Sequence, residues 1–239
     1  MSSGTPDINE LPEQSIGTPG MGSGSAGGAV SSPTDIPVIL TLDDYLGDEY
    51  ADTEQVMLVT VKTADATAAV VKTLDKTDGS WETSVMTIGY VGEKGCVDGA
   101  ERVQGSLKTP MGIYRIIGAM GISADPGAKF PYTRITDGMY WDLNSGSATY
   151  NRLVNSDPGG SREVLYQMGK QYDYILNTSY NYEQTEHKGG AIFIHVSQSE
   201  PTAGCVSVPR SDMEKIIKWA DPAKNPVVII CLSDTAPIV

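Results

Sequence analysis

The sequence predicts a mainly β, α+β domain with short helices and one helix near the C-terminus. Runs of strand length and composition recur along the chain: Gln55–Val61, Ala68–Leu74, Trp81–Tyr90, Met111–Ile117, Ala191–Val196 and Pro226–Leu232. The links between many of them are short, which favours antiparallel neighbours. By contrast, a clean helical stripe appears in one place, at Met213, Ile216, Ile217 and Ala220.

In chain order, residues 1–35 read as a disordered acidic linker. Gly, Ser and Pro dominate between Gly17 and Pro33, and such a stretch buries too little apolar surface to offset its chain entropy. A single domain is expected over 36–239. Its first stretch, Ile36–Tyr50, mixes apolar and acidic residues. Asp78-Gly79 is a hairpin turn between the second and third strands. Residues 118–160, rich in Gly, Asp, Asn, Ser and Pro, are expected as a long loop that serves as a substrate lid. A short helix is expected over Ser161–Lys170. In Ala191–Val196 the two-residue period puts Phe193 and His195 on one face and Ile192, Ile194 and Val196 on the other. Cys205–Val208 is a short strand with Cys205 and Ser207 on a shared face. Ser211-Asp212-Met213-Glu214 has the form of a capping box opening the C-terminal helix, and Asp221-Pro222 ends it.

The formal net charge is −13, but it is unevenly placed. No Lys or Arg precedes Lys62, while ten Asp and Glu do. The acidity belongs to the N-terminal quarter, and no basic patch exists for neutralising phosphates, which argues against nucleic acid as a partner. No apolar run is long enough to cross a membrane as a helix.

The three cysteines, Cys96, Cys205 and Cys231, form no disulfide framework and no CxxC motif, and the His and Cys spacing suits no metal. Cys231 sits in the apolar run Val227–Leu232 and reads as core. Cys96 lies in a Gly-rich loop and is expected to be exposed. Cys205 follows a small-residue turn, Pro201-Thr202-Ala203-Gly204, ten positions after His195. His187, the other histidine, falls in a polar loop. An imidazole within reach accepts a thiol's proton and later returns it to a leaving amine. Cys205 and His195 are therefore candidate nucleophile and base, with the Gly204 and Cys205 N–H groups as an oxyanion hole. A plain core role for both residues is the competing reading.

At these residues the chain resembles the L,D-transpeptidase catalytic domain, the YkuD-like family. His195 matches the family's strand histidine and Gly204-Cys205-Val206 its nucleophile turn. Lys108-Thr109-Pro110-Met111-Gly112-Ile113-Tyr114 matches a second signature, and Val91-Gly92-Glu93-Lys94-Gly95 a third element. The likeness spans about residues 55–232. Thr202-Ala203 stands where many members have Ser-His, and Ser207 where an Arg is usual. These departures point to a divergent branch whose motif reads Thr-Ala-Gly-Cys-Val.

The resemblance implies a β-sandwich whose C-terminal helix follows the nucleophile strand. It also implies a peptidoglycan cross-linking enzyme that acts through a Cys205 thioester, without metal or organic cofactor. Peptidoglycan stem peptides are the implied substrates and carbapenems the implied covalent inhibitors. Substrate contacts are expected from Tyr114, Trp141, Tyr180, Ser207 and Arg210. Ser197, Tyr180, Asn181 or a backbone carbonyl is expected to hold the second imidazole nitrogen. An L,D-carboxypeptidase and a non-catalytic wall-binding module of the same fold are the alternatives. A wall substrate implies an extracytoplasmic location, with a secretion signal upstream of Met1.

Overall fold

In the computed structural model, which describes residues 40–239, a short helix α1 (Leu42–Leu46) precedes strands β1 (Gln55–Val61), β2 (Ala68–Thr77) and β3 (Ser80–Tyr90). The expected linker over 1–35 lies outside the described residues. Thr41 caps α1 with a reciprocal capping box to Asp44. Asp78 and Gly79 both take positive φ, 49° and 81°, as a type I′ hairpin turn demands, and they join β2 to β3 where the sequence places the turn.

The chain continues through β4 (Cys96–Asp98), β5 (Thr109–Gly121), β6 (Tyr132–Arg134), β7 (Tyr140–Asp142), β8 (Arg152–Val154), β9 (Arg162–Val164) and β10 (Ile175–Thr178). It ends with β11 (Phe193–Val196), β12 (Val206–Val208), helix α2 (Arg210–Trp219) and β13 (Val227–Leu232). The main sheet runs β10-β11-β12-β3-β2-β1-β13-β5, and β5 pairs back with β10. The sheet thereby closes on itself, so the expected sandwich is barrel-like. A small second sheet has the order β8-β7-β9.

Two-residue periodicity explains the long apolar runs. On β1 and β13, Met57, Val59, Val228 and Ile230 face the main core, while Val56, Leu58, Val227, Ile229 and Cys231 face a second layer closed by Leu42 and Leu46 of α1. Both faces are covered, so neither strand alternates with polar residues. Met213, Ile216 and Ile217 of α2 and its C-cap residue Ala220 are fully buried in the main core, as their stripe predicts. Each large apolar side chain there contributes on the order of 1.5–3 kcal/mol.

Four expectations need correction. The segment 118–160 is not one loop: it finishes β5 and contains β6, β7 and β8. The three-residue strands are too short for a period to be read. Ser161–Lys170 is strand β9 followed by a 3₁₀ segment, Leu165–Tyr172, broken at Gly169, whose φ is 61°. Ser211 is not a cap. Helix α2 starts at Arg210 with Pro209 in the N-cap position, which puts Ser211 inside the first turn. Cys96 is buried at 1% exposure, because its loop is pinned by Cys96 N–H donating to Ala64 O at 2.7 Å and by pairing with Thr109.

Candidate active site

Cys205 and His195 line one cavity of about 530 Å³. Parallel pairing of β11 with β12 aligns Ile194 with Val206 and His195 with Ser207. Phe193, His195, Cys205 and Ser207 thus share the cavity-side face, and Cys205 lies diagonally across from His195. No hydrogen bond joins the two side chains in this conformation; the thiol and the imidazole are each bonded to backbone. Ile194 and Val196 point the other way, into the main core.

The thiol is held by backbone. Cys205 Sγ donates to Ala191 O at 3.1 Å and accepts from Phe193 N–H at 3.4 Å. Burial pushes the Cys205 thiol up to about 12, and the nearby Glu163 carboxylate adds to this; the Phe193 N–H and Arg102 oppose it. His195 Nδ1 lies 3.0 Å from Val196 O. A carbonyl only accepts, so Nδ1 carries the proton and Nε2 keeps its lone pair. A backbone carbonyl, and not Ser197, Tyr180 or Asn181, therefore holds the second imidazole nitrogen. Burial lowers the imidazole to about 4. The resting pair is a neutral thiol and a neutral imidazole.

The nucleophile turn is built from the sequence motifs. Thr202 Oγ1 donates to Cys205 O at 2.7 Å and accepts from Gly204 N–H at 3.1 Å. Thr109 Oγ1 accepts from Gly92 N–H at 2.8 Å and also donates to Cys205 O. Thr202 N–H donates to Val91 O, and Glu93 N–H to Thr202 O. The three separated motifs therefore converge on one hydrogen-bonded knot behind Cys205. Gly204 has φ 138°, and a Cβ there would lie 3.0 Å from Arg102 Nη2 and 3.1 Å from Lys108 O. Its N–H donates to Thr202, so in this conformation it is not turned to the cavity as the expected oxyanion donor.

Asn151 carries the other side. Its Oδ1 accepts from Trp141 Nε1 and Ala191 N–H, and its Nδ2 donates to the carbonyls of Tyr180 and Asn181. These bonds fix Ala191, whose carbonyl receives the thiol and whose φ is 53°, a value uncommon outside glycine.

Of the expected substrate contacts, the structure brings only Ser207 to the cavity. Ser207 is 1% exposed and its Oγ lacks a hydrogen-bond partner. Trp141 packs edge-on against Phe193 in the core beneath the site. Tyr114 and Tyr180 meet edge to face, with Tyr114 Oη donating to Met111 O and Tyr180 Oη to Lys188 O. Arg210 pairs with Asp173 and lies over Tyr174. None of these four lines the cavity.

Three residues at the cavity were not singled out from sequence. Tyr172 stacks edge-on with His195, ring centroids 5.4 Å apart, and its hydroxyl donates to Glu163 Oε1. Arg102, 6% exposed, donates through Nε to Lys108 O and through Nη1 to Lys188 O. Arg102 had a weak sequence signal, as a basic residue just ahead of the Lys108 motif. Glu163 and Tyr172 had none.

The model of the L,D-transpeptidase catalytic domain, YkuD, matches residues 58–229. The chain belongs to this family, whose members act on peptidoglycan stem peptides. A comparison with curated proteins gives no match.

Proposed function

We propose that this domain is a cysteine-dependent L,D-transpeptidase that forms peptidoglycan cross-links through a Cys205 thioester. The observation that carries the reading is the placing of His195 on β11 and of Cys205 just ahead of the adjacent β12, both lining one cavity, with His195 Nδ1 held by Val196 O. In the proposed reaction the thiol turns from Ala191 O toward Nε2, gives up its proton there, and attacks the carbonyl after the third residue of a tetrapeptide stem. The C–N bond to the terminal D-Ala breaks, and the imidazolium protonates the leaving amine. An amine of a second stem then takes the acyl group and frees Cys205. Water in its place gives the carboxypeptidase outcome.

The neutral resting pair suits this order of events. A free thiolate is not stored; it is made when the substrate arrives. Ser207 Oγ, buried and unpaired beside His195, is an available donor for charge developing on the carbonyl oxygen. A wall substrate places the enzyme outside the cytoplasmic membrane.

Incubation with a tetrapeptide muropeptide or a carbapenem, followed by intact-mass and peptide mass spectrometry, tests the reading. A covalent adduct on Cys205, absent in Cys205→Ser, is expected. An unmodified protein with unaltered muropeptides would overturn it and favour the wall-binding module.

A further inference from the structure

Glu163 is out of place as a structural residue. In the small sheet it pairs directly with Trp141, so the two side chains share a face. Trp141 uses that face to pack against Phe193 in an apolar cluster with Leu165, Tyr172 and Cys205. Glu163 is half-buried at the border of this cluster, where a carboxylate is costly unless it is paired. Among the described residues Glu163 has no ion-pair partner, and its hydrogen bond is the one from Tyr172. Its neighbour Arg162 is committed to Asp157. Burial raises the Glu163 carboxyl to about 7, partly opposed by the Tyr172 hydroxyl. Glu163 lines the same cavity as Cys205.

Arg102 is its counterpart. The guanidinium is buried, is held by two carbonyls, and has no carboxylate partner among the described residues. The guanidinium lies over the Tyr180 ring, 5.4 Å from its centroid, and Nη2, which has no hydrogen bond among the described residues, reaches the Gly204 side of the nucleophile turn. Glu200 also lines the cavity but is exposed to solvent, so Glu163 and Arg102 are the charges withdrawn from solvent there that have no counter-charge among the described residues. A ligand with both charges compensates both.

We propose that Glu163 and Arg102 are the two poles of an acceptor subsite beside Cys205. Glu163 takes the ammonium of the incoming amine, and Arg102 takes a carboxylate on the same carbon. The preferred acceptor is therefore a free amino acid head group and not a simple alkylamine. The inference rests on the thioester proposed above. In the transfer step one ammonium proton passes to the Glu163 carboxylate. The neutral nitrogen then bonds to the thioester carbon, the C–S bond breaks, and a second nitrogen proton reaches the departing sulfur through His195. The products are an amide, a Cys205 thiol and a neutral Glu163 carboxyl.

The test divides the fate of one intermediate. A Cys205 thioester is formed with a tetrapeptide stem, and its partition between hydrolysis and aminolysis is read by mass spectrometry. D-alanine and D-alaninamide, which lacks the carboxylate, serve as acceptors. Each ratio is taken within one variant's own thioester, so a general loss of folding or thiol reactivity cancels. Glu163→Gln is expected to lower the aminolysis-to-hydrolysis ratio about tenfold or more for both acceptors, with Glu163→Asp restoring part of it. Arg102→Gln is expected to erase a preference of about tenfold for D-alanine over D-alaninamide. Should Arg102→Gln not fold, Arg102→Lys reads the same preference with the planar fork removed. An unchanged ratio in Glu163→Gln, or an unchanged preference in the Arg102 variants, overturns the subsite. A wild-type thioester that is only hydrolysed also overturns it, while leaving Cys205 chemistry standing. Failure of the wild type to form any thioester removes the proposed function, and the subsite with it.

Discussion

The Thr109 hydroxyl donates to the carbonyl of Cys205, a residue 96 positions further along the chain. The same oxygen accepts from the Gly92 N–H. Thr109→Val keeps the shape but removes both bonds and leaves a buried N–H without a partner. A loss of about 1–3 kcal/mol is expected from chemical denaturation. Stability within a few tenths of the parent would show that the knot behind Cys205 is dispensable.

Asn151 offers a sharper separation of backbone from side chain. Its φ of 55° is a conformation glycine adopts freely, so Asn151→Gly spares the turn and deletes the four hydrogen bonds of the amide. A destabilisation of about 2 kcal/mol or more is expected, because the Trp141 and Ala191 N–H groups are then orphaned. Slower adduct formation at Cys205 should accompany it, since Ala191 O no longer has a fixed place. An equally stable variant with unaltered adduct rate would contradict the positioning role.

A neutral resting thiol has a kinetic signature. With the Cys205 thiol pushed up to about 12 and His195 down to about 4, alkylation by a small uncharged reagent should keep rising with pH beyond 9. A plateau reached below pH 7 would instead reveal a preformed thiolate–imidazolium pair.

His195 and Glu163 pull acid stability in opposite directions. The folded imidazole titrates near 4 and the unfolded one near 6.5, so between these values the unfolded chain binds more protons and stability falls as pH drops. Glu163 is raised from 4.5 to about 7, so the folded chain binds more protons in that window and stability falls as pH rises. The two slopes offset each other between about pH 4.5 and 6.5. Glu163→Gln removes one of them, and the variant should lose stability on the order of 3 kcal/mol as pH falls from 6.5 to 4. Parallel pH profiles for parent and variant would rule this balance out.

The strands that form the closed sheet were legible because each is long or apolar enough to show a period. Ala191–Val196 gave the correct faces for Phe193, His195 and Ile194, and the α2 stripe gave all four of its buried residues. The strands of the small sheet are three residues each and carry no readable period. The nucleophile and histidine stood out because a Gly turn and a strand histidine are local features. The charged residues around them did not. Glu163 and Arg102 reach Cys205 only through folding of distant segments, and apart from the nearness of Arg102 to the Lys108 motif nothing in their own neighbourhoods announces a cavity. Tyr114, Trp141 and Tyr180 failed as substrate contacts for the opposite reason. Aromatic residues in a polar segment look available, yet Trp141 and Tyr180 are buried, Tyr114 is partly so, and all three direct their polar atoms to backbone carbonyls or to Asn151.

The pairing of β10 with both β11 and β5 also governs how this domain meets copies of itself. Most strands of the closed sheet are paired on both sides, but β3 meets β12 only at Tyr90 and Ser207, so the rest of β3 is an open edge. The flanking strands β4, β6, β8 and β9 have three residues each, too few to template a partner. Edge-to-edge contact thus has a foothold on β3 and none on β11, which carries His195 and is paired on both sides.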